Sequence, residues 1–507
     1  MIQPRFQIDR RRIVFWLVGP PAGLGIIVTI GVLTTIAALC ASAIRTNIQI
    51  GLDEHFEITK ALLWARGHAL YSEVWNDQPP LFTVVLGTAF KTFGATIGVA
   101  RSIACVFGVV FLSACWLISR TVSGTMTACF SLGFLITAPV VFQITIAPML
   151  EIPAFGIALL AALPVIWSKG PISVPSLALS GVTFAIALQI KLTSALMVPA
   201  LLIHFVLNSR NGPQPLKFSA VFRRLAFWIA VTLIATLLLG SIAGSGYQQA
   251  WSSHFGPVLS AQVHPERAHA FSFWKLLEHW DASLAAGIGL LLVICKRDFT
   301  RLAFPCVWLA TVAMVHWLHR PWWNYYYIHF AVPLSWLAGH AVSELFRRAL
   351  DTAWKWNGRE AYIGLFSLIL GMSLSAMLVV HGGERLAVEV DDIRNAEKVE
   401  QSRLIRKMRE FAGQTKWVYT QSTEYAFHAG FMVPPELAVL PLKRFWSGQI
   451  SNSEVWAKVQ QYEPEQILLP CDIHLEQPQV EYLGRCYSVI YDDNHYKLFA
   501  IKALVPK

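Results

Sequence analysis

A long uncharged stretch near the start of the chain sets the strongest limit on what it can fold into. Residues 13–43 contain no Asp, Glu, Lys or Arg, and the run exceeds the roughly 20 residues that a helix needs to cross a bilayer. A cleavable secretion signal has a shorter apolar core, followed by small residues at the cleavage site. We therefore interpret this stretch as a first membrane span that the protein retains.

Further apolar blocks along the chain predict a polytopic α-helical membrane protein. Of the 507 residues, 55% are hydrophobic and 14% are charged, whereas an average soluble domain is about one quarter charged. The segment 79–93 is either a further span or a helix in the membrane interface. Without it, hydropathy predicts about eleven membrane helices, at 13–43, 98–119, 124–146, 151–168, 172–190, 193–208, 225–243, 281–295, 302–318, 325–343 and 361–380.

The positions of the basic residues decide how the chain crosses the membrane. If the N-terminus with Arg10–Arg12 is cytoplasmic and 79–93 does not cross, later basic clusters such as 210–224 also fall inside, as the positive-inside rule requires. A crossing at 79–93 would turn these clusters outward. The basic residues form short groups between apolar blocks and not one continuous face, which argues against nucleic-acid binding.

This topology predicts a membrane module, 1–380, and a soluble outer domain, 381–507. The outer side also receives the first loop, 44–97, and the loop 244–280. The tail begins with a charged helical stretch from Glu389 to Phe411 and continues with strand-like runs, which together indicate a small α/β domain.

The last two strand-like runs of the tail, 487–491 and 496–500, flank the polar turn residues Asp492-Asp493-Asn494 and predict a hairpin. Cys471 and Cys486 also lie in the tail. They are candidates for a disulfide if the domain faces an oxidising compartment.

The first outer loop contains the most informative polar residues. Asp53 and Glu54 directly follow the first span, and apolar positions from Ile58 onward predict a helix along the membrane surface. Pro79-Pro80 suits the start of a second surface helix, over 80–93. This design holds two carboxylates where a lipid head group would lie. The simpler alternative is that both are solvated charges at a helix start.

Other charged residues are predicted on the same side of the membrane. Glu151 begins a span and Lys191 interrupts an apolar run, where a charge is costly and therefore a candidate for function. The simpler readings are a helix-dipole charge for Glu151 and a snorkelling side chain for Lys191. The remaining polar candidates are Arg101, which opens the second span, Tyr326, which belongs to the aromatic run at 322–327, and the residues just before that run, His316, His319 and Arg320.

A series of motifs in the first 200 residues follows the order seen in a known family. Glu151 matches its second acidic position and Lys191 matches its basic position. The chain thereby resembles the bacterial dolichyl-phosphate-mannose-type mannosyltransferases, which include lipid A aminoarabinose transferases and have the GT-C fold. Gln78 stands where the family more often has His or Lys. The other matching motifs are Leu52-Asp53-Glu54, Gly67, Tyr71, Gln78-Pro79-Pro80-Leu81, Phe93-Gly94 and Ala100-Arg101.

The resemblance implies an inverting glycosyltransferase in a bacterial inner membrane, with its active site on the periplasmic face. It would take a sugar from a polyprenyl phosphate and give it to a lipid, glycan or protein. Asp53, Glu54 and Glu151 are then the predicted catalytic residues, and Lys191, Arg101 and Arg320 the predicted phosphate ligands. Asp53 and Glu151 are also candidate ligands for a divalent metal such as Mg or Mn.

Two other functions compete with this one. A lipid transporter or flippase would carry charges inside the helix bundle and broken helices in two corresponding halves. The sequence shows no such halves and places its acidic residues in outer loops. A non-catalytic scaffold would have no need for Asp53, Glu151 and Lys191 on one side of the membrane.

Overall fold

Helices make up most of the protein. The computed structural model describes residues 31, 41–168, 172–211, 215–242, 270–297, 299–319, 322–352, 358–446 and 448–505. The helices before the C-terminal sheet region are α1 Ala41–Thr46, α2 Glu54–Ala65, α3 Leu81–Phe93, α4 Ile97–Ser123, α5 Thr125–Ile136, α6 Pro139–Ile146, α7 Glu151–Trp167, α8 Val174–Ile190, α9 Val198–Asn211, α10 Phe218–Ile242, α11 Trp280–Lys296, α12 Phe299–Leu318, α13 Tyr327–Thr352, α14 Gly358–Met377 and α15 Gly383–Asn395.

The long apolar helices agree with the predicted membrane spans. Among the described residues, six helices are long and apolar enough to cross a membrane, or seven if the bent pair α5–α6 forms one span. Each predicted span from 98–119 onward is largely helical, although 124–146 is divided between α5 and α6 and 193–208 begins in a 3-10 segment before α9. Most of 13–43 lies outside the described residues. The chain is thus a multi-pass membrane protein, while the count of eleven spans stays a prediction.

The predicted span 124–146 is broken in the middle. Helices α5 and α6 meet at an angle of 84° across Thr137 and Ala138. Pro139 is the first residue of α6. Proline has no N–H to continue the preceding helix and disfavours helical geometry in the residue before it. The break therefore follows from one residue, which hydropathy averages do not detect.

Small residues let the membrane helices pack closely. Gly289 on α11 faces α13, and a Cβ added there would lie only 2.2 Å from the carbonyl oxygen of Leu337. Gly339 on α13 faces α5 in the same way, with the Ser131 hydroxyl 2.3 Å from such a Cβ. Close backbone approach at small residues is typical of helix packing in membranes.

The two helices predicted in the first outer loop are present as α2 and α3. Helix α2 is not a surface helix, because it is buried on two sides. Ile58 and Leu62 join the apolar cluster that includes α3 and α4. Leu63 joins the core of the C-terminal part. The helix is therefore held between the membrane bundle and the C-terminal part.

The C-terminal part contains helices and a four-stranded sheet. The strand order is β1-β2-β4-β3, with β1 parallel to β2 and the other neighbours antiparallel. The strands are β1 Val418–Tyr419, β2 Gln466–Pro470, β3 Tyr487–Asp492 and β4 Tyr496–Ile501, and the helices are α16 Arg403–Arg409, α17 Thr423–Ala429, α18 Leu442–Trp446, α19 Asn452–Tyr462 and α20 Gln477–Cys486.

Most sequence predictions for this part agree with the structure. Strands β3 and β4 form the predicted hairpin, in which Val489 pairs with Phe499. The predicted helical stretch from Glu389 to Phe411 is divided between two helices, because α15 ends at Asn395 and α16 begins at Arg403. Cys471 and Cys486, the candidates for a disulfide, are both free thiols in the structure.

Candidate functional site

A buried ion pair fixes the first outer loop to the bundle. Arg101 on α4 donates from Nε to Glu54 Oε1 at 2.7 Å and from a terminal nitrogen to Glu54 Oε2 at 3.0 Å. The other terminal nitrogen donates to three backbone carbonyl oxygens, including that of Asn47 at 2.9 Å. Both side chains are at most 1% exposed. Arg101 thus uses its donors within the protein.

The same carboxylate shapes the turn that precedes α2. Glu54 Oε2 accepts hydrogen bonds from the backbone N–H groups of Ile50 at 2.7 Å and Gly51 at 3.2 Å. The turn places Asp53 at the N-cap of α2, yet the Asp53 side chain makes no capping hydrogen bond. Its half-buried carboxylate instead interacts electrostatically with the Tyr325 side chain.

A second buried ion pair joins Glu151 and Lys191. Glu151 is the first residue of α7, and Lys191 follows α8 in an extended conformation before a short 3-10 turn. Lys191 Nζ donates to Glu151 Oε1. The other oxygen of Glu151 is buried and has no hydrogen-bond partner among the described residues. This pair therefore retains capacity to interact with a further group.

Aromatic rings connect Lys191 to the region of Asp53. The ammonium lies over the rings of Tyr325 and Tyr326, at 5.3 Å and 5.9 Å from their centroids. Both tyrosines belong to a short 3-10 turn at the start of α13. Asp53 also acts electrostatically on Lys191. The predicted residues Asp53, Glu151, Lys191 and Tyr326 thus lie together.

The predicted histidines lie next to this group. His316 Nε2 is 2.8 Å from His329 Nδ1, and the two rings are stacked with centroids 5.0 Å apart. Tyr326 stacks on His329 at 5.4 Å, and His319 meets Tyr326 edge-on at 6.2 Å. His329 is fully buried and was missed by the sequence analysis. Its position as a polar residue in an apolar helix is the signal that could have predicted it.

A further group of charged residues near Asp53 was also missed. Lys60 donates to Glu57 at 2.8 Å and to the Asn76 side chain at 3.2 Å. Burial raises the pKa of Glu57, while the charge of Lys60 lowers it. Asp77 forms an ion pair with Lys443 of α18. Glu57 lies one helical turn after Asp53, so its place beside Asp53 could have been predicted from the sequence. Nothing in the sequence around Lys443 indicates that it lies near this loop.

The C-terminal part closes over the same loop. Thr423 on α17 contacts Thr59 on α2, with their hydroxyl oxygens 2.9 Å apart. Trp446 stacks on Trp323, with ring centroids 6.2 Å apart and planes within 3°. The charged site is therefore bounded by the first outer loop, the start of α13 and the C-terminal part.

Two predictions about this site, the role of Arg320 and a bound metal ion, stay predictions. Arg320 lies outside the described residues. Within the ranges that the structure describes, no group of three or more His, Cys, Asp or Glu side chains is arranged to hold a metal ion. Asp53 and Glu151 would be the carboxylates nearest to such an ion, and a metal requirement stays a prediction.

Part of the chain matches a known family in sequence. The profile described as dolichyl-phosphate-mannose-protein mannosyltransferase matches residues 77–239. This region begins at Asp77 and includes Arg101, Glu151 and Lys191. No curated protein matches the chain in sequence.

Solved structures resemble the chain over nearly its full length. ArnT from Cupriavidus metallidurans in the apo state matches with a TM-score of 0.62 and 12% identity, over 94% of this chain and 99% of that chain. ArnT from the same organism bound to undecaprenyl phosphate matches with a TM-score of 0.59 and 13% identity, over 96% of this chain and 100% of that chain. The Archaeoglobus fulgidus oligosaccharyltransferase in complex with Zn and sulfate matches with a TM-score of 0.52 and 12% identity, over 93% of this chain and 73% of that chain. The predicted GT-C fold is confirmed.

Proposed function

We propose that this chain, a membrane protein with the GT-C fold of mannosyltransferase-like enzymes, moves a sugar from a polyprenyl phosphate to an acceptor hydroxyl. One observation carries the proposal. Lys191 is held by Glu151 and two tyrosine rings on the side of the site where Asp53 lies. A cation for a departing phosphate and a carboxylate for an incoming hydroxyl are thus close together.

The reaction needs little acid catalysis, because a polyprenyl phosphate leaves as a stable anion. Its negative charge must be stabilised, and Lys191 supplies a preorganised positive charge. Asp53 accepts the proton of the acceptor hydroxyl as that oxygen attacks the anomeric carbon. The bond from the anomeric carbon to the phosphate oxygen breaks at the same time. A single in-line displacement of this kind inverts the anomeric configuration.

The other predicted residues receive different roles from their contacts. Glu54 and Arg101 position the turn that carries Asp53, since their polar atoms are engaged within the protein. Glu151 holds Lys191 and has one oxygen for a further contact. Arg320 follows α12 in the sequence, next to the aromatic run, and is retained as a second phosphate ligand on the sequence argument alone.

The proposal places the reaction on the periplasmic face of a bacterial inner membrane. The basic loops predict a cytoplasmic N-terminus and an outer C-terminal domain. The structurally similar ArnT binds undecaprenyl phosphate, and we propose a polyprenyl-phosphate sugar as the donor of this chain. The acceptor is a lipid, glycan or protein in the same compartment, and the group transferred is a hexosyl or pentosyl unit.

Transfer by the purified protein tests the proposal. The chain in detergent is supplied with radiolabelled polyprenyl-phosphate sugars and a membrane-lipid extract, beside the variants Asp53→Asn and Glu73→Gln. We expect Asp53→Asn to lose about 10²–10⁴-fold in rate, the usual contribution of a general base. Glu73 is a half-exposed carboxylate of the same loop and serves as the matched control.

Each outcome of this assay has a distinct meaning. Equal transfer by wild type and Asp53→Asn would remove Asp53 from the chemistry. Equal losses in Asp53→Asn and Glu73→Gln would indicate a general disturbance of the loop. No transfer with any donor, together with movement of labelled lipid across a vesicle membrane, would favour a flippase.

A further inference from the structure

A groove of about 640 Å³ lies in the C-terminal part, away from the charged membrane site. Its walls come from the turn between β3 and β4, the end of β2, helix α17 and the connection between α15 and α16. The volume is within the range of about 300–1,000 Å³ that small-molecule sites occupy. The groove is therefore large enough for a ligand of a few rings.

Tyrosines form much of the groove wall. Tyr425, Tyr491 and Tyr496 all line it. The rings of Tyr425 and Tyr496 are 5.1 Å apart at 60° to each other. A tyrosine offers an apolar face and a hydroxyl that both donates and accepts hydrogen bonds. This combination suits the apolar faces and hydroxyl groups of a sugar ring.

The charges of the groove select among sugars. Glu397, Asp472 and Asp493 line it, and among the described lining residues His495 is the one basic side chain. Asp493 is engaged by the hairpin, accepting from the Tyr491 hydroxyl at 2.6 Å and two backbone N–H groups at 2.7 Å. Glu397 and Asp472 are exposed. Carboxylates accept hydrogen bonds from hydroxyl or ammonium groups and repel phosphates and acidic sugars.

Helix α17 connects the groove to the first outer loop. Tyr425 lines the groove, while Thr423, two residues earlier, contacts Thr59 and the carbonyl oxygen of His55 at 2.9 and 3.3 Å. These partners lie on α2, which begins next to Asp53. We propose that the groove binds uncharged or amine-bearing sugar units of a glycan acceptor, an inference that rests on the function proposed above.

Direct binding of oligosaccharides tests the groove without requiring transfer. Saturation-transfer NMR would use the full chain in nanodiscs with three probes of equal length: chitotetraose, which is neutral, its fully deacetylated cationic form, and anionic tetragalacturonate. We expect the neutral or the cationic probe to bind and the anionic probe not to bind. Tyr491→Ala and Asp472→Asn should each weaken binding about fivefold, which is the usual effect of losing one hydrogen bond.

Two controls separate the groove from its surroundings. Asp492→Asn alters an exposed carboxylate of the same hairpin, which pairs with Lys497 at 3.4 Å and does not line the groove, and should bind like wild type. The double variant Glu151→Gln/Lys191→Gln, which removes both charges of the buried pair, should also bind the oligosaccharides like wild type. A wild-type chain that binds the oligosaccharides but transfers no sugar would count against the transferase and not against the groove.

Three results would overturn the proposed groove. The first is a wild-type chain that binds none of the probes, and the second is a preference for tetragalacturonate. The third is equal affinity in wild type, Tyr491→Ala and Asp472→Asn. Because Asp472→Asn changes an exposed side chain, a folding defect in Tyr491→Ala would still leave a decisive variant.

Discussion

Two buried ion pairs at the outer end of the bundle have similar charges and different surroundings. The Glu54–Arg101 pair is closed, because Arg101 donates to both oxygens of Glu54 and to three backbone carbonyls. The Glu151–Lys191 pair is open, because one Glu151 oxygen has no partner in the described part of the chain. Its ammonium lies over two tyrosine rings, on the side of Asp53.

The difference shows how to separate a structural pair from a chemical one. A buried ion pair contributes little net stability, but loss of one partner leaves a charge that burial penalises strongly. In the closed pair the polar atoms are hydrogen-bonded within the protein. The pair therefore positions the turn that carries Asp53. In the open pair, unused hydrogen-bonding capacity adjoins a second carboxylate, which is what a substrate site requires.

The largest effect is expected from breaking the closed pair on one side. Arg101→Met leaves Glu54 buried without a cation and should lower the free energy of unfolding by about 3–5 kcal/mol. Unfolding of the purified chain in detergent measures this. The double variant Glu54→Gln/Arg101→Met removes both charges and should recover most of the loss. A single variant as stable as wild type would contradict the structural role of the pair.

Removing the whole open pair should affect transfer more than folding. Glu151→Gln/Lys191→Gln eliminates both buried charges, so the free energy of unfolding should stay near that of wild type. Transfer should fall about 10²–10³-fold, as it does when a preorganised group that stabilises transition-state charge is lost. The double variant of the closed pair is the matched comparison. If both double variants lose transfer equally, the distinction between the two pairs is wrong.

Local pattern and charge were sufficient to predict the helices and part of the site. Apolar blocks indicated α4 to α14, and the positive-inside rule placed Asp53, Glu151 and Lys191 on one side, where the structure brings them together. The pairing of Arg101 with Glu54 could not be predicted in the same way. The two residues are 47 positions apart, and no spacing rule connects them.

The remaining misses have a common physical origin. Lys443 pairs with Asp77 although the two residues are 366 positions apart in the sequence. The contact therefore exists only after the C-terminal part has packed on the first loop. Helix α2 is buried on both sides for the same reason, whereas its sequence alone suits a surface helix. Tertiary packing decides such contacts, and a single sequence carries no local trace of it.

The buried carboxyl of Glu424, near the closed pair, should make the stability of the chain depend on pH. Burial, with a smaller effect of the Glu54 charge, raises the pKa of Glu424 from 4.5 to about 7. The folded chain binds this proton more tightly than the unfolded chain, so the contribution of Glu424 to stability is complete below pH 4.5 and is lost as the pH rises to about 7. The shift corresponds to up to about 3 kcal/mol.

The variant Glu424→Gln isolates this effect. The difference in Tm between variant and wild type should grow in favour of the variant from pH 4.5 to 7 and then level off. Glu481→Gln changes an exposed carboxylate of the same part of the chain and should follow wild type. A difference that stays constant over this pH range would mean that Glu424 ionises without penalty in the folded chain.

The smallest effect concerns the aromatic contacts of the open pair. Tyr326→Leu removes a ring over which Lys191 lies, a contact worth about 0.5–1 kcal/mol at a typical site. Binding of polyprenyl phosphate should then change by about two- to fivefold, measured by titration of the purified chain. Tyr326→Phe keeps the ring and should bind like wild type. If Tyr326→Phe changes binding as much as Tyr326→Leu, the hydroxyl of Tyr326 and not its ring affects ligand binding. Hydrogen bonding, and not the cation–π contact, would then prepare the open pair for its ligand.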